Sequence, residues 1–289
     1  MLVRVSVTAY YVLILAACFS FVSVGIASVH VTTLLPRSPK RRHWLAKTHG
    51  LGASLLNWLS KPLWGCRVTT SPLIHSQLSL DMEADASIRQ EVLRQLIEPS
   101  RVRSPILSRG RFIMMCNHLS SLDGIVLRGL LHPIAPLIVY KSSLHYVPLL
   151  GMNLYLTGDF PVYFTRENGG WKTPPGSGKQ LLQNMKSALD ENIPVLVFPE
   201  GQRNPNPSKS TFLPFRQGTL NFAIAHEIPI LPVAISGTDQ AWPIHSALLN
   251  TADVRIAISS TFIHPRDLSV EVLTEKVEAQ ITSLLHVCE

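Results

Sequence analysis

At 289 residues the chain is long enough for one sizeable domain plus an accessory segment, and only 16% of its residues are charged, against roughly 25% in an average soluble domain. The net charge of +7 is confined to the front: residues 1–80 carry eight Lys and Arg and no acid, which leaves 18 Lys and Arg against all 19 Asp and Glu in 81–289. A nucleic-acid binder would spread basic residues over its folded face, so no nucleic-acid partner is expected, whereas basic residues beside an apolar run suit anionic lipid head groups.

Residues 1–35 are predicted to be a membrane anchor. From Val5 to Leu35 no residue carries a formal charge, a run of 31. A bilayer-spanning helix needs about 20 residues, and a cleavable signal peptide has a shorter apolar centre of roughly 7–15. A retained transmembrane helix is expected, with a hairpin embedded in one leaflet as the alternative. Five basic residues between Arg37 and Lys47, against Arg4 alone in front, place the following domain on the cytosolic side.

Residues 36–66 read as a basic linker and an amphipathic helix. At about 100° per residue, His43, Lys47, Gly50, Ser54, Asn57 and Lys61 share one stripe, opposite Trp44, Leu45, Leu51, Leu55, Leu56, Trp58 and Leu59. Such a helix lies either in the membrane interface or on the catalytic domain.

Residues 67–289 alternate short apolar runs with amphipathic ones. Strands are predicted at 74–80, 112–116, 136–140, 161–164, 195–198, 230–235 and 254–262, and helices at 84–97, 121–131, 178–191, 215–226 and 269–286. That alternation predicts an α/β domain with a mainly parallel central sheet flanked by helices. Residues 167–178 and 202–210, rich in Gly, Pro and Asn, are predicted as surface loops. Cys18, Cys66, Cys116 and Cys288 are too dispersed for a metal site or a disulfide framework, so four free thiols and no metal are expected.

The chemistry-bearing segment is Asn117-His118-Leu119-Ser120-Ser121-Leu122-Asp123, directly after an apolar strand. On one regular helix, His118 and Asp123 would point about 140° apart. They can meet only if His118 ends the strand and a turn leads into a helix that opens near Asp123. Ser120 as N-cap and Asp123 in the acidic place of a capping box would supply that turn. A carboxylate on one ring nitrogen leaves the other free to take a proton. Such a pair suits general-base activation of a hydroxyl. Three further blocks follow: Phe160-Pro161-Val162-Tyr163-Phe164-Thr165-Arg166, Phe198-Pro199-Glu200-Gly201-Gln202-Arg203, and the apolar run Ile228–Ile235 with Pro229 and Pro232.

On these four ordered blocks the chain resembles the 1-acylglycerol-3-phosphate acyltransferase family, within the glycerolipid acyltransferase superfamily. The resemblance implies direct acyl transfer from acyl-CoA, as co-substrate and without a cofactor, to the hydroxyl of lysophosphatidic acid. In that reading His118 is the base, Asp123 orients it, and Lys141, Arg166 and Arg203 bind the acceptor phosphate. Glu200 and Gly201 resemble acceptor-site residues. The family also implies membrane-lipid contact and an endoplasmic-reticulum address. Gln202 stands where the family has Thr, and Pro161 where it commonly has Gly; both border the acceptor site. Glycerol 3-phosphate, another lysophospholipid or lysocardiolipin are the alternative acceptors. A catalytically inactive, membrane-tethered lipid-binding protein is the alternative of a different class. A serine hydrolase built on Ser120 or Ser121 would lack its Gly-x-Ser-x-Gly elbow.

Overall fold

The computed structural model describes residues 3–14, 16, 17, 45, 48, 51–53, 55, 59, 67–70, 110–131, 136–147, 150–167, 170–207 and 212–288. A helix α1 covers residues 3–14. The strands are β1 (Arg67–Thr70), β2 (Ile113–Cys116), β3 (Leu137–Lys141), β4 (Phe160–Val162), β5 (Thr165–Glu167), β6 (Gly170–Lys172), β7 (Val195–Val197), β8 (Ile230–Ser236) and β9 (Arg255–Ile258). The helices after α1 are α2 (Asp123–Leu130), α3 (Leu150–Thr157), α4 (Ser177–Asp190), α5 (Gln217–Ala225), α6 (Thr238–Ala241) and α7 (Val270–Val287), with a 3-10 turn at Ser142–Tyr146. The predicted strand 74–80 and helix 84–97 lie outside the described residues, as do Cys18 and Cys66. Cys116 and Cys288 are free and buried.

Seven strands form one sheet in the order β1-β9-β8-β2-β7-β3-β4. From β8 to β4 every neighbour is parallel; β9 runs antiparallel to β8, and β1 follows β9. The mainly parallel α/β reading therefore holds, with a reversed pair at one edge. Side chains on a strand alternate between faces, and they sort into two cores. Ile113, Met115, Val195, Val197, Ile230 and Ala234 pack with α4, α5 and α7 on one face. Met114, Cys116, Leu196, Leu231, Val233 and Ile235 pack with α2 on the other. Burial on both faces explains why the central strands read as unbroken apolar runs. Helix α7 shows the helical counterpart: Ser269 caps it, its hydroxyl accepting from the Val272 N–H at 3.3 Å, and Leu273, Val277, Ile281 and Leu284 fall on the buried stripe.

Three expectations are corrected. The stretch 167–178, predicted as a loop, holds strand β6 and the start of α4; β5 and β6 form a two-stranded antiparallel hairpin apart from the main sheet. Helix α3 and the 3-10 turn were not predicted, because Ser142–Gly158 contains no charged residue and so shows no apolar–polar period. The described part of the apolar N-terminus, α1, lies on the catalytic domain: Val7 and Tyr11 are buried in the α2-side core. The Arg4 guanidinium donates to Ser246 Oγ at 2.9 Å, and the Leu249 N–H to Thr8 Oγ1 at 2.9 Å. Val3, Val5, Val12 and Leu13 remain exposed on its other side. Among the described residues no helix is long and apolar enough to cross a membrane. Residues 45, 48, 51–53, 55 and 59 are helical, and the predicted apolar side is divided, with Leu45 buried and Leu51 and Leu55 exposed.

Candidate active site

Strands β8, β2, β7, β3 and β4 run parallel, so their C-terminal ends share one edge of the sheet, where α/β proteins bind ligands. At the end of β2 the chain turns sharply. Asn117 is buried and replaces the missing strand ladder with its side-chain amide: Nδ2 donates to Ile235 O and Oδ1 accepts from Ile235 N, each at 2.9 Å. This clamp fixes where His118 leaves the sheet.

His118 and Asp123 meet. His118 Nδ1 lies 2.8 Å from Asp123 Oδ2. The same oxygen accepts the backbone N–H groups of Leu119 at 2.7 Å and Ser120 at 2.9 Å. The Asp123 side chain has no solvent exposure, while that of His118 retains 21%. One imidazole edge is therefore held inside while the ring stays open to a reactant. With a carboxylate on Nδ1, the proton belongs on that nitrogen and Nε2 is left as the acceptor. The ring also stacks on Phe198, with centroids 4.2 Å apart and planes 19° apart.

The predicted capping box is only half present. Asp123 reaches back to the Ser120 N–H, but Ser120 is not the N-cap of α2. The helix opens at Asp123 after Leu122, which makes no side-chain cap bond. Ser120 Oγ instead donates to Trp242 O at 2.9 Å and accepts weakly from the Leu122 N–H at 3.4 Å. The serine thus ties the turn to the segment after α6, while the Asp123 carboxylate closes the turn through the Leu119 and Ser120 N–H groups.

Glu200 follows β7 and braces the same turn from the other side. Its Oε1 accepts the His118 N–H at 3.0 Å and its Oε2 the Leu213 N–H at 2.9 Å. The residue is only 2% exposed, and burial pushes its pKa up, an effect partly offset by the two N–H donors. Gly201 turns the chain at φ +72°, and a Cβ there would come within 3.1 Å of the Arg216 side chain. Asn204 is buried and its N–H donates to His118 O at 2.8 Å. His118 is therefore held through its ring, its N–H and its carbonyl.

The predicted cations divide. Arg203 reaches the catalytic turn, with Nη1 donating to Ser121 Oγ at 3.1 Å. Lys141 ends β3 at the same edge, two strands from β2, and is exposed. Arg166 does not directly follow the main-sheet strand as predicted; β4 ends at Val162, and Arg166 lies in β5 opposite Trp171. A cavity of about 180 Å³ opens beside the turn, lined in part by Asn117, Glu200, Asn204, Phe212, Ser236 and Asp239.

One supporting element had no local signal. Buried Arg128 in α2 grips buried Asp159 with both terminal nitrogens, Nη1 to Oδ2 at 2.9 Å and Nη2 to Oδ1. Arg128 also donates to Pro136 O at 3.0 Å, and Asp159 accepts from the Ile138 N–H at 2.7 Å. The helix that begins with Asp123 is thereby tied to β3 and to the entry of β4.

Residues 87–236 match the family model described as Acyltransferase, just over half of the chain. Among curated proteins, a 1-acyl-sn-glycerol-3-phosphate acyltransferase of Saccharomyces cerevisiae is 35% identical over 132 residues, covering 46% of this chain and 41% of the relative. The protein of the same name from Escherichia coli is 28% identical over 131 residues, 45% of this chain and 49% of the relative. The one from Cocos nucifera is 26% identical over 180 residues, 62% and 54%. The chain thus spans about half the length of these relatives. The crystal structure of the 1-acyl-sn-glycerophosphate acyltransferase of Thermotoga maritima shares the fold, with a TM-score of 0.62 over 97% of this chain and 93% of that one at 20% identity. The matched stretch ends with the last residue of β8 and takes in the His118–Asp123 turn, the Glu200 brace and the Asn117 clamp: the chain belongs to the acyltransferase family.

Proposed function

We propose that the protein transfers a fatty acyl group from acyl-CoA to the free hydroxyl of lysophosphatidic acid, giving phosphatidic acid. The observation that carries this reading is the buried Asp123 carboxylate on Nδ1 of a partly open His118. In the step, His118 Nε2 takes the proton of the acceptor hydroxyl as its oxygen bonds to the thioester carbonyl carbon. The resulting tetrahedral centre expels the CoA thiolate as the C–S bond breaks. The imidazolium returns the proton to that sulfur, so the base is regenerated and no acyl-enzyme forms. Asp123 stabilises the imidazolium while it exists; positioned general-base catalysis contributes about 10²–10⁴-fold.

Arg203, beside the catalytic turn, is the first candidate to hold the acceptor phosphate, because a guanidinium fork matches phosphate oxygens. Lys141, at the same edge, and Arg166 are the further candidates. Glu200 is better read as a brace than as a phosphate contact, since both its oxygens already accept backbone N–H groups and its charge would repel the ligand. The uncharged run Val5–Leu35 and the basic residues behind it support attachment to a membrane with the catalytic domain in the cytosol, the endoplasmic reticulum being the address proposed.

Purified protein in detergent, given labelled acyl-CoA and a panel of lysophosphatidic acid, glycerol 3-phosphate and other lysophospholipids, is expected to acylate lysophosphatidic acid best. His118→Ala is expected to abolish transfer while the thermal melt is kept. Transfer at the wild-type rate by that variant would remove the mechanism, and preference for another acceptor would reassign the substrate.

A further inference from the structure

One aromatic side chain joins the end of β7 to the catalytic turn. Phe198 directly follows β7, and the register Met115↔Val197 sets it level with the end of β2, two residues before His118. Half-buried, Phe198 packs against the core on the face where α2 carries Asp123. Its backbone is held on both sides. Pro199 comes next, and a proline disfavours helical backbone in the residue before it. Phe198 O accepts the Gly201 N–H at 3.0 Å, which closes the turn behind it.

The Phe198 and His118 rings lie face to face, with centroids 4.2 Å apart and planes within 19°. The imidazole is kept on that face, because Asp123 holds Nδ1 at 2.8 Å and the His118 N–H and carbonyl are both tied. When Nε2 takes a proton, the positive charge spreads over a ring that rests on the phenyl face. A cation within about 6 Å of an aromatic centroid is attracted by the ring quadrupole, and more strongly where water is excluded. The charged groups around the imidazole are Asp123 from α2, Glu200 from the loop after β7, and Arg203, which reaches the turn at Ser121. Cys116, at the end of β2, is buried; burial first and Asp123 second push its thiol up, so it stays uncharged.

We propose that Phe198 is a positioning residue for acyl transfer: its ring face keeps the His118 imidazole aligned and favours the imidazolium formed when Nε2 takes the proton of the acceptor hydroxyl. This role rests on the reading of His118 as the general base. Asp123 and Phe198 then divide the task, the carboxylate acting on the edge of the imidazolium and the phenyl ring on its face. Attraction between cation and ring exists only while the imidazole is charged. It therefore stabilises the transition state more than the resting enzyme, and acts on kcat rather than on KM.

The test replaces Phe198, in the full chain in detergent, by 3,5-difluoro- and 3,4,5-trifluorophenylalanine. These rings keep the shape of phenylalanine while fluorine drains electron density from their faces. With acyl-CoA and lysophosphatidic acid, kcat should fall stepwise, by about threefold for the trifluoro ring, with KM for both substrates little changed. The pH of half-maximal kcat on the acid side should move down along the series, since a less favoured imidazolium forms only at lower pH. A ring that only fills space would leave both readouts unmoved. Phe198→Leu, which removes the ring, should lose at least as much in kcat, with its fold followed by thermal melt. A flat fluorine series, a loss equal at every pH, or a rise in KM alone would overturn the proposal. His118→Ala, run alongside, separates the two readings. If it is inactive while the series is flat, only the role of Phe198 fails; if it transfers at the wild-type rate, the base falls and this role with it. Should no acceptor be acylated, pH titration of labelled histidine rings by NMR still decides. The His118 signals, identified by their loss in His118→Ala, should titrate at lower pH along the fluorine series, and a fixed midpoint would reject the stack.

Discussion

The two halves of the catalytic edge are built on opposite terms. Around β2, β7 and β8, polar groups are buried and paired: Asn117 with Ile235, Asp123 with three donors, Glu200 with two, Asn204 with His118. Around β3, α3 and β4, the outer surface presents exposed Tyr146, Val147, Met152 and Tyr155, while a buried charge contact, Arg128–Asp159, sits underneath. The first half holds a reacting group still in a partly dry site; the second offers a surface. Besides the β3–β7 pairing, the two are joined through α2, which carries Asp123 at one end and Arg128 near the other.

The largest expected effect comes from breaking that coupling. Arg128→Met leaves the Asp159 carboxylate buried without its cation and is expected to cost about 3–5 kcal/mol, read as a lower urea midpoint. Arg128→Met/Asp159→Leu should recover most of this stability, because an apolar pair of similar volume needs no desolvated charge. Equal losses in the single and double variants would show that packing, rather than the unpaired charge, carries the effect. The double variant also tests alignment: transfer activity should stay below wild type if the pair sets the direction of α2.

A middle-sized effect is expected in the paired half. Asn117→Ala removes both bonds to Ile235 and leaves its buried N–H and carbonyl without partners, costing about 1–3 kcal/mol. Activity should fall further than the melt alone explains, since the clamp fixes where His118 leaves the sheet. A variant with unchanged kcat would show that the Asp123 and Glu200 contacts position His118 by themselves.

The smallest expected effect is a slope with pH. Burial raises the pKa of Glu200, so the folded protein binds its proton more tightly than the unfolded chain does. That contribution favours the fold fully below the ordinary glutamate value and is lost as pH rises through the raised one. Glu200→Gln removes this dependence at a constant cost for one imperfect hydrogen bond. In urea melts between about pH 4 and pH 7, the stability of the wild type relative to the variant should therefore decline with rising pH and then level off. A difference that stays constant over that range would place the titration elsewhere.

Much of the paired half was legible from local pattern. The strand before Asn117, the five-residue spacing of His118 and Asp123, and the helix that follows are short-range features, and backbone geometry leaves one way for the two side chains to meet. Glu200, Gly201 and Arg203 were marked by the family resemblance of the block that follows the strand 195–198. Their jobs were less legible, because two N–H groups from His118 and Leu213 turn a suspected ligand contact into a brace. The β5–β6 hairpin was hidden by its glycines and prolines, which read as a loop, and α3 by its lack of charged residues.

The sequence by itself determined the central strands with most of the helices that cover them, the sheet's buried centre and the meeting of His118 with Asp123, since each follows from side-chain period and chain geometry over a few residues. Only the tertiary structure decided the pairing of Arg128 with Asp159, 31 positions apart, the reversed β9 edge, and where apolar residues go. The hydrophobic effect is non-directional: it says that Val7 and Tyr11, or Tyr146 and Tyr155, favour leaving water. Packing alone shows that the first two find the domain's own core while the other two face outward.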